Sequence, residues 1–234
     1  DLSSTGLLEV LPALAADHNS ESDVAHLLGR AAFGPKPGEI EAVQRQGVEA
    51  YLQKQLHPDT ITLPPNVAQL SQYDALAKDP VSLYLNYAKP VLKAMAGGKK
   101  NQTEESKKEF QKLIRETYRK VYEEAADARF TRAVDSPQEL KEVMTDFWFN
   151  HFNVLMDKAT LDTRSYREML SAAMYGSFSD LLMATAKHPA MLLYLDGALN
   201  TTGFKKNASF PGGYQITRVP NENYAREVME LHTL

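Results

Sequence analysis

Apolar residues recur along this chain at intervals of three and four positions, which is the spacing of one face of an α-helix. Residues 24–31 and 83–91 carry clear stripes of this kind. No segment shows a convincing alternation of apolar and polar residues, as a half-buried strand would. The pattern therefore predicts an all-α fold, an irregular packing of roughly eight to ten helices with no significant sheet.

Proline and capping residues mark where these helices begin and end. Ser136 to Glu139 combines a capping serine, a proline in the first turn and a glutamate at the capping-box position, which predicts a helix start. Another helix is predicted to begin near Asp79, and Pro90 should kink or divide it. Together these signals predict an N-terminal tail at residues 1–21 and a helical domain over residues 22–234.

A long segment between Gly97 and Val134 begins as a polar loop and continues with charges that alternate in sign. Apolar residues follow one stripe within it, so it is predicted to form a long, exposed amphipathic helix stabilised by opposite-charge pairs. The alternative is an arm that binds a partner.

Composition narrows the classes of function. The chain has 234 residues, 43% of them hydrophobic and 24% charged, which is ordinary for a globular protein. Its net charge of -4 provides no basic surface for nucleic acid. No apolar run approaches the ~20 residues that would span a bilayer. Cysteine is absent from the sequence, which excludes disulfides, thiolate metal sites and a cysteine nucleophile.

His151 is the first candidate functional residue, and Asn150 beside it is a further candidate. His151 lies on or next to the apolar stripe of its predicted helix. It is either a core histidine bonded to a neighbouring carboxylate or carbonyl, or a general base or metal ligand. The residues that share its broad face are Met144, Phe147, Trp148 and Phe152.

His188 is the second candidate. Because it precedes Pro189, its backbone is biased away from the helical region, so it marks a helix boundary. Residues at such junctions commonly use their side chains to satisfy free backbone groups. The pattern therefore favours a capping histidine over a site residue.

The last helix is predicted to begin with Asn221 as its N-cap, followed by Glu222 and Asn223 in the first turn. Asn223, Glu227 and Glu230 fall on one helical face, with Arg226 beside them. This face can be a buried polar network, a catalytic or metal site, or a solvated surface.

His232 follows Glu230 by two positions on the same helix. On a helix with 3.6 residues per turn their side chains diverge by about 200°, which weighs against a shared ligand role. The sequence specifies neither a metal nor a cofactor.

Four segments in order resemble the bacterial family catalogued as domain of unknown function 1800, over most of the chain from about Ser22 to Leu234. They are HLLGRAAFGPKPGEIEAV, FWFNHF, HPAMLLYLDG and NENYAREVMELHTL. The resemblance implies a protein exported to the periplasm or cell envelope, although a cytoplasmic protein stays open. It also implies the N-terminal portion of a longer chain, ended by preparation of a fragment, by proteolysis or by self-cleavage. The resemblance supplies no reaction.

Two hypotheses for function stay open, and the sequence does not decide whether the protein is an enzyme. One is a binding or scaffold role, in which the histidine and the last helix form a buried polar cluster. The other is a hydrolase-like enzyme, with or without a metal. In it His151 acts as base or ligand, Glu227 and Glu230 as acid/base groups or ligands, and Arg226 steadies a negative charge. The expected partners are the remaining portion of the same chain or a second copy.

Overall fold

The computed structural model describes residues 19–97, 104–155, 158–197, 200, 204–206, 214–216 and 222–233. Most of the predicted tail at residues 1–21 lies outside these ranges, as does Asn221, the predicted N-cap of the last helix. The prediction of a single helical domain over residues 22–234 stays a prediction.

Helices account for most of the described residues, and the all-α prediction is confirmed. In the described part, the one sheet is an antiparallel pair of three-residue strands, β1 (Phe204–Lys206) and β2 (Tyr214–Ile216). Pro58–Thr60 and Gln69–Gln72 form 3-10 turns. The α-helices are α1 Glu21–Ala31, α2 Glu39–Gln46, α3 Val48–Leu56, α4 Pro65–Ala68, α5 Pro80–Leu83, α6 Lys89–Gly97, α7 Glu104–Asp135, α8 Glu139–His151, α9 Thr163–Ala173, α10 Phe178–Lys187, α11 Pro189–Tyr194 and α12 Asn223–Glu227.

The chain divides into two compact units. Of the described residues, one unit comprises those up to Leu70 together with Asp127–Asp146, and the other comprises those between Ser71 and Ala126 and those from Phe147 onward. The core of the first unit is formed by side chains of α1, α2 and α3, which present their apolar faces to one another. Its buried apolar residues are Val24, Leu28, Ala31, Ala32, Val43 and Tyr51.

Glu139 is buried in the first unit, and its predicted capping-box role is wrong. Its two carboxylate oxygens accept hydrogen bonds from Lys36 Nζ at 2.8 Å and from the Tyr51 hydroxyl at 2.7 Å. The backbone N–H of Ser136, which a capping box would offer to Glu139, donates instead to the Arg132 carbonyl. Helix α8 does begin at Glu139, and the Ser136 hydroxyl accepts from the backbone N–H of Gln138.

The second unit contains a large core around α9, α10 and α11. Tyr166 is fully buried, and its hydroxyl donates to the Phe152 carbonyl at 2.7 Å. This bond ties the chain just after α8 to α9. The other buried apolar residues of this core are Phe149, Phe152, Val154, Ala159, Leu170, Leu181, Ala190, Met191 and Leu195.

The irregularity expected at Pro90 takes the form of a π-helical turn at Tyr84–Ala88, between α5 and α6. Proline has no N–H to donate within a helix, and its ring clashes with the carbonyl four residues earlier. The helical run changes its hydrogen-bond spacing just before Pro90 and then continues to Gly97. The proline therefore modifies this helix without ending it.

Helix α7 confirms the long charged helix. The pairs Lys112–Glu116 and Arg119–Glu123 follow the predicted i, i+4 spacing. Val121, by contrast, is buried in a small apolar cluster of the second unit, so the helix is exposed on only part of its surface. In the part of the chain that the structure describes, no helix has the length and apolar character needed to cross a membrane.

Candidate functional site

Two histidines that are far apart in sequence meet in the second unit. His151 is the last residue of α8, and His232 is the last residue of a π-helical turn, Val228–His232, that follows α12. Their ring centroids lie 6.5 Å apart. The Nε2–H of His151 donates to the backbone carbonyl of His232 at 3.0 Å. The hydrogen bond assigns the Nε2 proton of His151 and links the end of α8 to the final turn.

Phe152 lies between these histidines and is fully buried. Its ring centroid is 4.7 Å from that of His151 and 5.2 Å from that of His232, both in edge-to-face arrangements. Trp148 stacks on Phe152 at 5.8 Å, and Phe178 from α10 does so at 6.0 Å. These are the distances at which aromatic pairs add stability beyond the area that they bury.

Phe147 and Phe178 bring this group of rings to the surface. Phe147 is 54% exposed and is stacked on His151, with an interplanar angle of 11°. Phe178 is 43% exposed and lies 6.4 Å from the His151 ring. We call the group Phe147, Trp148, His151, Phe152, Phe178 and His232 the aromatic–histidine cluster.

Two polar atoms of the cluster are buried without a hydrogen-bond partner among the described residues. They are Nδ1 of His232, a side chain that is only 5% exposed, and Nε1 of Trp148. Leaving such a group unsatisfied costs about 1–3 kcal/mol. Unpaired polar atoms of this kind are uncommon in folded proteins and call for a structural or functional explanation.

The electrostatic surroundings of His232 favour its neutral form. Burial lowers the pKa of His232 below the ordinary 6.5, because the charged imidazolium loses solvation. The Glu227 carboxylate acts in the opposite direction, and His151 lowers the His232 pKa further. The net result is a neutral imidazole near pH 7, with one ring nitrogen available as an acceptor.

The protonation state of His232 can be measured by proton NMR titration of its imidazole ring. We expect a midpoint below 6.5, and we expect Glu227→Gln to lower it further because the nearby negative charge is removed. Glu230→Gln is the matched control: this exposed carboxylate is not among the causes of the shift, so the midpoint should not move.

The same shift makes a prediction about stability against pH. The pKa of His232 is lower in the folded state than in the unfolded state. Its contribution to the free energy of unfolding is therefore complete above pH 6.5, and it is lost as the pH falls through the lower pKa of the folded state. In the NMR titration, an unchanged His232 midpoint in Glu227→Gln would show that the Glu227 carboxylate does not act on His232.

His188 lies at the junction of α10 and α11, as the sequence favoured. Its Nδ1 accepts from the backbone N–H of Ala190 at 3.2 Å, so the side chain caps α11. Its ring contacts the Tyr166 ring with centroids 5.1 Å apart, and burial lowers the pKa of His188. Its observed role is to join two helices.

Most polar residues of the final helix are exposed, and they do not form the buried network that the sequence allowed. Asn223, Arg226 and Glu230 are exposed, and only Glu227 is half-buried. Glu222 occupies the N-cap position without a side-chain capping bond in the described part, and Asn150 on α8 is also exposed. Of the alternatives left open for this face, the exposure of Asn223, Arg226 and Glu230 favours the solvated surface over the buried network.

The inward face of the final helix carries three residues at a spacing of four positions, and they are less polar than the charged residues of this helix. Tyr224 and Val228 are half-buried, and His232 is buried. The helical spacing of these three residues is the signal that could have placed His232, rather than Glu227 and Glu230, beside His151. Phe178 carries no comparable signal, since it comes from a distant helix.

Metal-ligating side chains do not gather in the described ranges: these contain no group of three or more histidine, cysteine, aspartate or glutamate residues placed to hold an ion. The metal-ligand role considered for His151, Glu227 and Glu230 stays a prediction.

Comparison with known families gives a match over residues 26–234, to the family described as "Protein of unknown function (DUF1800)". The chain belongs to this family. The matched DUF1800 region contains α8, α10 and the final helix, so every residue of the aromatic–histidine cluster lies within it. Searches of curated proteins and of solved structures found no significant match.

Proposed function

We propose that this DUF1800 chain is a helical binding module whose recognition surface is the exposed side of the aromatic–histidine cluster. The partner is a polypeptide segment that places an apolar side chain against Phe147 and Phe178. The observation that carries the proposal is the exposure of these two rings, which belong to the same cluster as the buried, unpaired atoms of Trp148 and His232.

Exposed aromatic rings of this kind are typical of protein interfaces. Interface centres are enriched in aromatic residues and methionine, and their rims are polar. Met229 and Leu231 on the final turn are also exposed, at 63% and 62%. Arg226 and Glu230 are exposed on the same helical run and would supply charged rim contacts.

Two buried, unpaired atoms belong to the same cluster as this surface. The Nε1–H of Trp148 is a donor, and Nδ1 of a neutral His232 can accept or donate, depending on its tautomer. An ordered water that satisfied either atom would remove the penalty of leaving it unpaired.

A hydrolase-like enzyme is the second candidate, and one observation favours it. The Glu227 carboxylate acts on a neutral, desolvated His232, and such pairing can prepare an imidazole as a general base. The titration of Glu227→Gln described above bears on this candidate, because an unchanged His232 midpoint would remove its support.

The binding surface can be tested with a photoreactive residue, p-benzoylphenylalanine, placed at position 147 in cells that produce the full protein. We expect a cross-link to one polypeptide, at an apolar residue identified by mass spectrometry, and we expect Phe178→Ala to abolish it. Position 130 is the matched control, since Phe130 is also a helical phenylalanine and is 71% exposed, but it belongs to the other unit.

The outcome is decisive in either direction. Equal cross-links from positions 147 and 130, or none from position 147, would refute the binding surface. The same cells allow the proposed export to the periplasm or envelope to be checked by fractionation.

A further inference from the structure

A second candidate site, distinct from the aromatic–histidine cluster, lies elsewhere in the second unit. It is a pocket of about 370 Å³, within the size range of small-molecule sites. Its walls combine apolar residues such as Leu161 and Leu193 with four aromatic or charged residues that could contact a ligand: Tyr84, Tyr118, Lys158 and Asp162.

One wall of the pocket is formed by the irregular helix that precedes Pro90. Tyr84 and Ala88 both line the pocket and are the first and last residues of the π-helical turn. Such turns are frequently found at functional sites, since they alter the direction in which side chains project. Tyr84 is 49% exposed, which leaves its ring accessible to a ligand.

Asp162 supplies a negative charge that the described residues leave unbalanced. It is half-buried at the start of α9, where its side chain makes no capping bond. Burial raises the pKa of Asp162, and among the described residues no cation offsets this effect. In the described part of the chain, its carboxylate has no ion-pair partner.

Lys158 also lines the pocket, but its charge is already balanced. Its Nζ donates to the Tyr194 carbonyl at 2.7 Å and pairs with the Asp196 carboxylate at 3.0 Å. With this pair neutral, the charge that remains among the described residues lining the pocket is that of Asp162.

An unbalanced carboxylate next to tyrosine rings is the combination that attracts organic cations. Aromatic faces attract ammonium groups through the ring quadrupole, and quaternary ammonium ligands are commonly held in this way. Tyr118 is half-buried, and desolvation raises its pKa, so its ring lies in the low-dielectric surroundings that strengthen such an interaction.

We propose that this pocket binds a small organic ammonium ion, with Asp162 as its counter-ion and the rings of Tyr84 and Tyr118 as its cation–π partners. The proposal is independent of the binding surface at the aromatic–histidine cluster, because the two sites share no residue.

Choline and its neutral isostere 3,3-dimethylbutanol are suitable probes, since they share shape and hydroxyl group and differ in charge. Isothermal titration calorimetry on the whole chain should show saturable binding of choline. Binding of the neutral isostere should be at least tenfold weaker, about the effect of losing one ion pair with its cation–π contacts. Equal binding of both probes, or of neither, would overturn the proposal.

Variants locate the site. Asp162→Asn should weaken choline binding at least about tenfold, since a tenfold loss is the least expected for a desolvated charge partner. Glu168→Gln is the matched control: it removes an exposed carboxylate of α9, the helix that Asp162 precedes, and this carboxylate lies outside the pocket, so affinity should not change.

Folding of each variant is checked by circular dichroism. If Asp162→Asn does not fold, Tyr84→Leu replaces it as the test, because Tyr84 is half-exposed and its loss removes one cation–π partner without opening the core. Unchanged choline affinity in the folded variant would overturn the assignment.

Discussion

Replacing Glu139 by alanine should lower the free energy of unfolding of the first unit by about 2–3 kcal/mol, the cost expected when a buried hydroxyl and a partly exposed ammonium lose a charged hydrogen-bond acceptor. Glu139 is only 7% exposed, and its loss leaves the Tyr51 hydroxyl and the Lys36 ammonium without their shared acceptor. Tyr51 lies in the core of this unit, so its hydroxyl would stay desolvated.

Urea denaturation followed by far-UV circular dichroism measures this effect. Glu41→Ala on α2 is the matched control, because it removes an exposed carboxylate and should change stability by no more than about 0.5 kcal/mol. A loss below about 1 kcal/mol in Glu139→Ala would mean that the bonds to Lys36 and Tyr51 contribute little.

Glu39 provides a second readout of the same substitution. Burial raises the pKa of Glu39, and the neighbouring Glu139 carboxylate raises it further. Glu139→Ala should therefore move the Glu39 pKa back towards its ordinary value. A general loss of packing would not produce this directional change, so the titration separates the electrostatic effect from simple destabilisation.

Replacing Phe152 by alanine should cost about 3–5 kcal/mol of stability in the second unit, the range found for buried phenylalanine. Phe152 contacts the rings of Trp148, His151, Phe178 and His232 at once, so its removal leaves a cavity at the centre of the aromatic–histidine cluster. Trp148 is the one tryptophan in the sequence, so its fluorescence reports unfolding from inside this cluster.

Phe147→Ala is the matched control for this experiment. Phe147 belongs to the same cluster, but it is 54% exposed, so its loss should cost less than about 1 kcal/mol. It should nevertheless weaken binding of the proposed partner. Equal losses of stability in Phe147→Ala and Phe152→Ala would contradict the assignment of one ring to recognition and the other to the core.

Local sequence signals predicted the helical elements well. Pro80 and Glu139 begin helices close to where their signals placed them. The same is true of the cap made by His188. These features depend on residues within about one helical turn of each other, and the distance between such residues is set by the helix itself.

The candidate site could be anticipated only in part. The apolar stripe of α8 predicted that His151 would lie among Phe147, Trp148 and Phe152, and it does. The stripe could not identify the hydrogen-bond partner of His151. That partner is a backbone carbonyl 81 residues away, and neither the type of residue nor its spacing reveals such a contact.

The all-α class, the helix starts near Asp79 and Ser136, the junction at His188 and the family resemblance were therefore readable from the order of residues, since each depends on short-range spacing or on the motifs themselves. Only the tertiary structure could show that Glu139 binds Tyr51 instead of capping its helix, that His232 turns inward while Glu230 faces solvent, and that Asp162 shares a pocket with Tyr84 and Tyr118. These relations join residues that are distant in sequence, and they are decided by which helical faces bury the most apolar surface against one another.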